Sequence, residues 1–439
     1  MLYTLGVLAF AFGLLVSIAL HEIGHMVPAK IFGVRVTQYM VGFGPTLWST
    51  RRGETEYGVK AIPLGGYIRM VGMIPPRQDG TRSRWPRRLA LMAEDFRATS
   101  RADVDPADSE REFYRLPPWK KIVIMVGGPS MNLLIYLVLT VILLSSVGLP
   151  LTTNRVGSIE RCVLPANAPT PTLPADGSCP AGSSVTPASA VLQVGDRILA
   201  IDGTKTDNWA PASKILRTSA GKALTMTVLR AGHRIQVTIT PVRNLIYVGD
   251  SPTPVESGYL GVGLDQPMKP VPAAQVPGQI GSQIATGFAA LGAFPAKIGS
   301  LFGTVFEGHK RDVTGAVGVV GLGRIGGQEA ASAAPLIRKV EFLLTLLASV
   351  NLLLFLFNLV PLLPLDGGHV AGAVWEAIRR RVADARARPA TADAAVPPRR
   401  AIYVDTAQMV PVLYGVAVVL LAFTALVVYA DIVHPISFT

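Results

Sequence analysis

Charge is scarce in this chain of 439 residues, in which Asp, Glu, Lys and Arg together make up only 16%. Half of the residues are hydrophobic and the mean hydropathy is +0.41, more apolar than soluble domains usually are, so an ordinary water-soluble protein is not the default reading. Charge is missing altogether from residues 1–20, 122–147, 342–365 and 407–430. Each stretch is long enough to cross a hydrocarbon core of about 30 Å, which predicts four spanning helices. The first stretch has neither a basic n-region nor a small-residue cleavage site before His21, and it is read as a retained span. Cysteine is nearly absent too. Cys162 and Cys179 are the only two, they bracket a Pro-rich run, and an isolated pair this close is predicted to form a disulfide in an oxidising compartment.

The basic residues that do occur are unevenly placed. Residues 30–121 hold 17 of the 41 Lys and Arg, at about twice the density of the long loop 148–341, and residues 376–401 add 7 more. The positive-inside rule then predicts a plasma (inner) membrane protein with both termini and the long middle loop outside the cytoplasm, and with the first and third loops inside. The net charge of +12 calls for no nucleic acid. Runs such as WPRR and LPPWKK beside the membrane ends suit anionic lipid headgroups, or are simply solvated.

Against this apolar background, residues 21–25 read HEIGH. On a helix, H-E-x-x-H sets two imidazoles one turn apart on one face, with a glutamate placed to take a proton from an attacking water. In this composition a chance match is expected roughly 0.002 times per chain. Intramembrane ionisable residues are costly and usually functional, so His21 and His25 are predicted zinc ligands and Glu22 a general base. Zinc hydrolysis also needs a third ligand and an open fourth position. Glu54 and Glu56 lie in a turn-rich hairpin and are weak candidates. Asp366, in LVPLLPLDGGHV, is the only carboxylate at membrane depth, and the prolines and glycines around it are predicted to break the helix there. His369 remains the competing ligand, or a partner to one.

HEIGH, GFGP at 42–45, IPLGGYIRM at 62–70, GGPSMN at 127–132 and Asn358-x-x-Pro361 followed by LDGG at 365–368 together resemble a bacterial site-2 protease, of the sigma-E regulator type with a PDZ domain. The resemblance implies an intramembrane zinc metalloprotease with one Zn2+ per chain. It would cut single-pass membrane proteins, such as anti-sigma factors or signal-peptide remnants, within or near the bilayer, in regulated intramembrane proteolysis and stress response. It also implies ligands His21, His25 and Asp366, the base Glu22, and substrate contacts at Asn358, Pro361, Gly65, Gly66 and Asn132. Two local departures are the P-L-L-P-L-D spacing after Asn358 and GAVGV at 315–319.

The expected architecture is an α-helical polytopic membrane protein with an inserted extracytoplasmic α+β PDZ-like domain and a cytoplasmic membrane-associated β-hairpin region. Residues 1–31 carry the first span and the motif, and 32–121 form a cytoplasmic loop whose stretch 36–71 reads as hairpins able to add a strand to an unwound substrate. Residues 80–112 read as partly mobile. The second span is 122–147, and the PDZ-like domain is 148–265, with VGSI at 156–159 as its groove strand and an insert at 160–186. Residues 266–341 form a linker with one amphipathic helix over 282–306, and 342–375 the third span with its break. A cytoplasmic linker (376–406) and the fourth span (407–430) complete the chain. A membrane scaffold presenting a PDZ domain, with a structural metal site, is the alternative.

Overall fold

The computed structural model describes residues 1–77, 85–102, 104–164, 178–180, 183–207, 209–246, 254–307, 315–386 and 403–433. The chain divides into two compact units, residues 1–143 with 272–439, and residues 144–271.

In the first unit, α1 (Leu2–Ile31) runs through the uncharged stretch and carries the HEIGH motif in its last third. It leads into β1 (Val36–Arg52) and β2 (Thr55–Met70), an antiparallel hairpin bulged so strongly that it folds back on itself. Tyr39 pairs with both Tyr57 and Ile68, so the first half of β1 lies between the two halves of β2. Val36 and Met70 enter a small core with Ala29 and Ile124, which ties the hairpin to the helices. The charged tract 80–112, expected to be partly mobile, instead contains α2 (Arg87–Ala102) and short 3-10 turns, while 78–84 and 103 lie outside the described residues. Its order has a local cause: Arg97 is buried and makes two 2.8 Å bonds to Asp405, and Trp85 Nε1 donates to the Gln408 carbonyl at 2.7 Å. The second long apolar helix, α3 (Pro118–Ser146), follows.

The second unit is built around the four-stranded sheet β6-β5-β7-β8. Its strands are β3 (Leu149–Pro150), β4 (Val156–Ile159), β5 (Arg197–Ile201), β6 (Thr204–Lys205), β7 (Leu224–Arg230), β8 (His233–Ile239), β9 (Val242–Ile246), β10 (Val255–Tyr259), β11 (Val262–Leu264) and β12 (Met268–Lys269). Two helices, α4 (Pro187–Val191) and α5 (Trp209–Thr218), close a core that includes Val156, Ile198, Ile201, Met226 and Val228. Alternating burial along β7 is what a one-sided sheet requires. Cys162 and Cys179 are disulfide-bonded with their Cα atoms 5.5 Å apart; residues 165–177 and 181–182 of the expected insert lie outside the described residues. VGSI, expected as the groove strand, is bonded on one side along its length and on the other at its first residue. Strand β4 pairs with β11 on one side, and Val156 exchanges backbone hydrogen bonds with Asp196 and Gly195 on the other. In this pair β11, just after Leu260-Gly261, has no second partner strand among the described residues.

The chain returns to the first unit with α6 (Val276–Gly292) and α7 (Phe294–Phe306). The single amphipathic helix expected over 282–306 is thus two helices bent by 59° at Ala293, where Pro295 starts the second and removes a ladder donor. Unforeseen from the sequence is α8 (Val319–Ala331), which packs on α1 where a Cβ on Gly6 would lie 2.7 Å from the Gly326 carbonyl. Then come α9 (Leu336–Asn358), α10 (Asp366–Arg386) and α11 (Val410–Val433). The third apolar stretch therefore stops being helical at Asn358, and the linker expected over 376–406 is helical to Arg386, with 387–402 outside the described residues.

Four helices are long and apolar enough to cross a membrane, and the bent pair is a further candidate. Leu5, Leu8 and Phe12 on α1 and Val418, Val419 and Leu421 on α11 are exposed, as a lipid-facing surface demands. Inside the bundle, Asn351 of α9 donates to Ser17 Oγ of α1 at 3.0 Å, both buried, a polar tie between two apolar helices.

Candidate metal centre

The site begins with a helix crossing. A Cβ on Gly24 of α1 would lie 2.3 Å from the Gly127 carbonyl oxygen, and one on Gly127 of α3 would lie 2.0 Å from that of Gly24. The two backbones therefore touch, which only paired glycines permit. The contact brings α3 under His25. Its Nδ1 sits 2.7 Å from the Ile124 carbonyl, so Nδ1–H donates there and Nε2 is left as a ligand atom. Gly128 lies against the same ring.

His21, one turn earlier, points to the same place. The side-chain amide of Asn132 lies 3.0 Å from His21 Nδ1, and the Asn132 Oδ1 is buried without a hydrogen-bond partner. Turning the amide over would place that oxygen on Nδ1–H, the arrangement that a metal-binding Nε2 requires. Asn132, expected as a substrate contact, is buried and lies against the ring of His21.

The third arm arrives from the far end of the sequence. After Asn358 the backbone leaves the helix, and Asp366 begins α10. The prolines break the helix as expected, but the glycines do not. Gly367 and Gly368 lie in the first turn of α10, where a Cβ would meet the Val360 carbonyl oxygen at 2.3 Å and the Leu363 nitrogen at 2.6 Å. They let the new helix press onto the loop that precedes it.

His21 Nε2, His25 Nε2 and Asp366 Oδ2 form a nearly equilateral triangle: 3.2 Å between the nitrogens, and 3.4 and 3.3 Å from each to the carboxylate oxygen. Three ligand atoms on a tetrahedral zinc at its usual bond lengths lie about 3.3 Å apart. Asp366 Oδ2 is buried with no hydrogen-bond partner, an orphaned acceptor facing two ring nitrogens. Two imidazoles and one carboxylate with a fourth position open suit a catalytic zinc. Among the described residues this is the one His/Cys/Asp/Glu group able to hold a metal. Of the two candidates for the third ligand, Asp366 lies in this cluster and His369 does not. Glu54 is held by Arg111 at 2.7 and 3.0 Å, which keeps its carboxyl below the usual range, and Glu56 accepts from Gln38 at 3.1 Å.

Glu22, between the histidines, is buried beneath the hairpin. A Cβ on Gly66 would lie 3.0 Å from Glu22 Cγ, so this glycine gives β2 room to cover the carboxylate. Gly65 (φ +105°) turns the strand beside Phe43. Tyr39 of β1 donates to the Ala19 carbonyl of α1 at 2.8 Å; burial and then the Glu22 charge push its phenol up to about 12, so it stays a donor. Asn358 ends α9 and Pro361 is exposed in the loop before Asp366. The Ile124 carbonyl carries no sequence signal, because any residue supplies a carbonyl.

The sequence pattern of peptidase family M50 matches residues 9–396 of this chain. The chain is 34% identical over 451 aligned positions to the zinc metalloprotease Rip1 of Mycobacterium tuberculosis, covering 99% of each. It is 33% identical over 457 positions to the protein of that name in Mycolicibacterium smegmatis, covering 100% of this chain and 99% of the relative. A putative zinc metalloprotease of Mesorhizobium japonicum is 28% identical over 388 positions, covering 85% of this chain and 89% of its own.

Proposed function

We infer that this chain, which belongs to peptidase family M50 and is a zinc metalloprotease, hydrolyses a peptide bond within or near the transmembrane segment of single-pass membrane proteins. The observation that carries this reading is the triangle of His21 and His25, in the last third of a helix apolar enough to cross a membrane, and Asp366, in the chain that follows a second such helix. In our reading these three hold Zn2+, and Glu22 is the general base. Zinc, when bound, supplies Lewis acidity that makes water more acidic and offsets charge developing on the scissile carbonyl. Glu22 takes the proton of the attacking water, and its cover by β2 limits competing solvent. The Ile124 carbonyl and Asn132 hold the two imidazoles in orientation. A helical substrate hides its carbonyls in its own hydrogen bonds, so it has to be unwound. The hairpin offers an edge for strand addition, and Asn358, Pro361, Gly65 and Gly66 border the path we assign to the extended substrate.

We place both termini and residues 144–271 outside the cytoplasm, and the site toward the cytoplasmic side of the plasma membrane, on the distribution of Lys and Arg. Anti-sigma factors and signal-peptide remnants fit the reaction, as the final cut of a regulated intramembrane proteolysis in a stress response. The second unit, which we read as PDZ-like, serves as a size filter in this reading. The open edge of β11 favours a second role for it, as a receptor for an extended peptide. The test is to reconstitute the full chain in lipid with a single-pass reporter and sequence the new ends. Cuts inside or beside the reporter's span are expected. Cuts confined to its soluble part, or cleavage that survives zinc chelation, would refute the reading. A PDZ-presenting scaffold with a structural metal predicts zinc without any cutting.

A further inference from the structure

We propose that the buried Lys121–Glu376 pair is the positioning device for Asp366, and so sets how tightly this chain holds zinc; the proposal rests on the zinc site assigned above. Lys121 lies in the first turn of α3 and Glu376 in the middle of α10, and both are buried. Lys121 Nζ bonds both carboxylate oxygens, at 3.0 and 2.8 Å. Arg380, one turn on, reaches Glu376 Oε1 at 2.6 Å, and the Val404 amide lies 3.4 Å from Oε2. Every contact converges on one carboxylate.

The location gives the pair its role. Asp366 and Glu376 share one helix and lie about 15 Å apart along its axis, a rise of ten residues. A continuous helix transmits position over that length, whereas the irregular segment between Asn358 and Asp366 does not. The partner helix is α3, which carries the Ile124 carbonyl on His25, Gly128 against the same ring, and Asn132 beside His21. The pair therefore locks the helix bearing the third ligand to the helix that orients the first two. A buried ion pair adds little net stability over an apolar pair of similar volume, so the role we assign to this one is direction. Neither residue touches the reacting atoms, so both are positioning residues.

The test uses the full chain in detergent, with zinc affinity measured by competition against a chromophoric chelator and melting followed with and without zinc. Glu376→Gln leaves the buried charge of Lys121 without an opposite charge and should lower melting as well as zinc affinity. The double variant Lys121→Met with Glu376→Leu keeps a packed contact and should restore melting of the zinc-free protein. Its zinc affinity should stay ten- to hundredfold weaker, and its zinc-induced rise in melting temperature should shrink. Natural zinc affinity in the double variant overturns the proposal. Failure of both variants to fold also overturns it, since the pair would then be a requirement of folding. Zinc binding that survives His25→Ala in the natural background would strike the site assignment itself, which separates that failure from this one.

Discussion

Gly128→Ala is a small change that should disable the site without replacing a ligand. The added Cβ would lie 2.2 Å from His25 Nε2, 2.6 Å from Cδ2 and 2.7 Å from Cε1. Ordinary carbon contacts begin near 3.5 Å, so the ring has to retreat by about 1 Å or α1 and α3 have to part. Parting is opposed by the Gly24–Gly127 contact next to it. A zinc ligand tolerates about 0.2 Å of misplacement, and a shift of 1 Å amounts to losing one ligand of three. Zinc affinity should therefore fall at least a hundredfold, by about 3 kcal/mol. Metal analysis of the purified variant, chelator competition and cleavage of a single-pass reporter read this directly. Gly13→Ala on the same α1 is the control, because its Cβ meets only the flexible tip of Leu347, at 3.1 Å, and binding and cleavage should stay near natural levels. Natural zinc affinity in the Gly128→Ala variant would refute the claim that the crossing seats His25.

Glu22→Gln should keep zinc and fold while its turnover falls about a hundred- to ten-thousandfold, as expected for loss of a general base; normal turnover would remove that role from Glu22. Asp366→Asn should weaken zinc retention because a neutral amide is a poor ligand, whereas His369→Ala should retain it; the opposite pattern in metal content would mean that His369 is the third ligand. Cys162 and Cys179 should resist a membrane-impermeant maleimide until reduced and then label only from the extracytoplasmic side, and labelling from the cytoplasmic side alone would reverse the orientation. Deleting residues 148–265 should permit cutting of substrates with large extracytoplasmic domains and spare trimmed ones if the unit filters by size. A raised KM for trimmed substrate, with untrimmed ones still resistant, would make it a receptor instead.

The sequence by itself determined the solvent and the chemistry. Uncharged stretches of twenty or more residues read as membrane spans, and H-E-x-x-H needs only the helical repeat to put two imidazoles on one face with a carboxylate beside them. Both properties are local, so they can be read without knowing what packs against what. The third ligand was legible only as a choice, since Asp366 and His369 stand three residues apart and either could reach a metal. The tertiary structure puts Asp366, not His369, beside the two imidazoles, at the start of a helix that touches α3 more than two hundred residues earlier. The same holds for Asn132, whose place against His21 follows from the Gly24–Gly127 crossing, and for α8, whose first turn is capped by Asp431 of α11 through the amides of Gly318 and Gly321 at 3.0 and 2.8 Å. The run that forms α8 is rich in glycine and weak in helix propensity, so only packing and a distant carboxylate make it a helix. Order in the charged tract around Arg97 likewise waits on Asp405, and no window of sequence contains both.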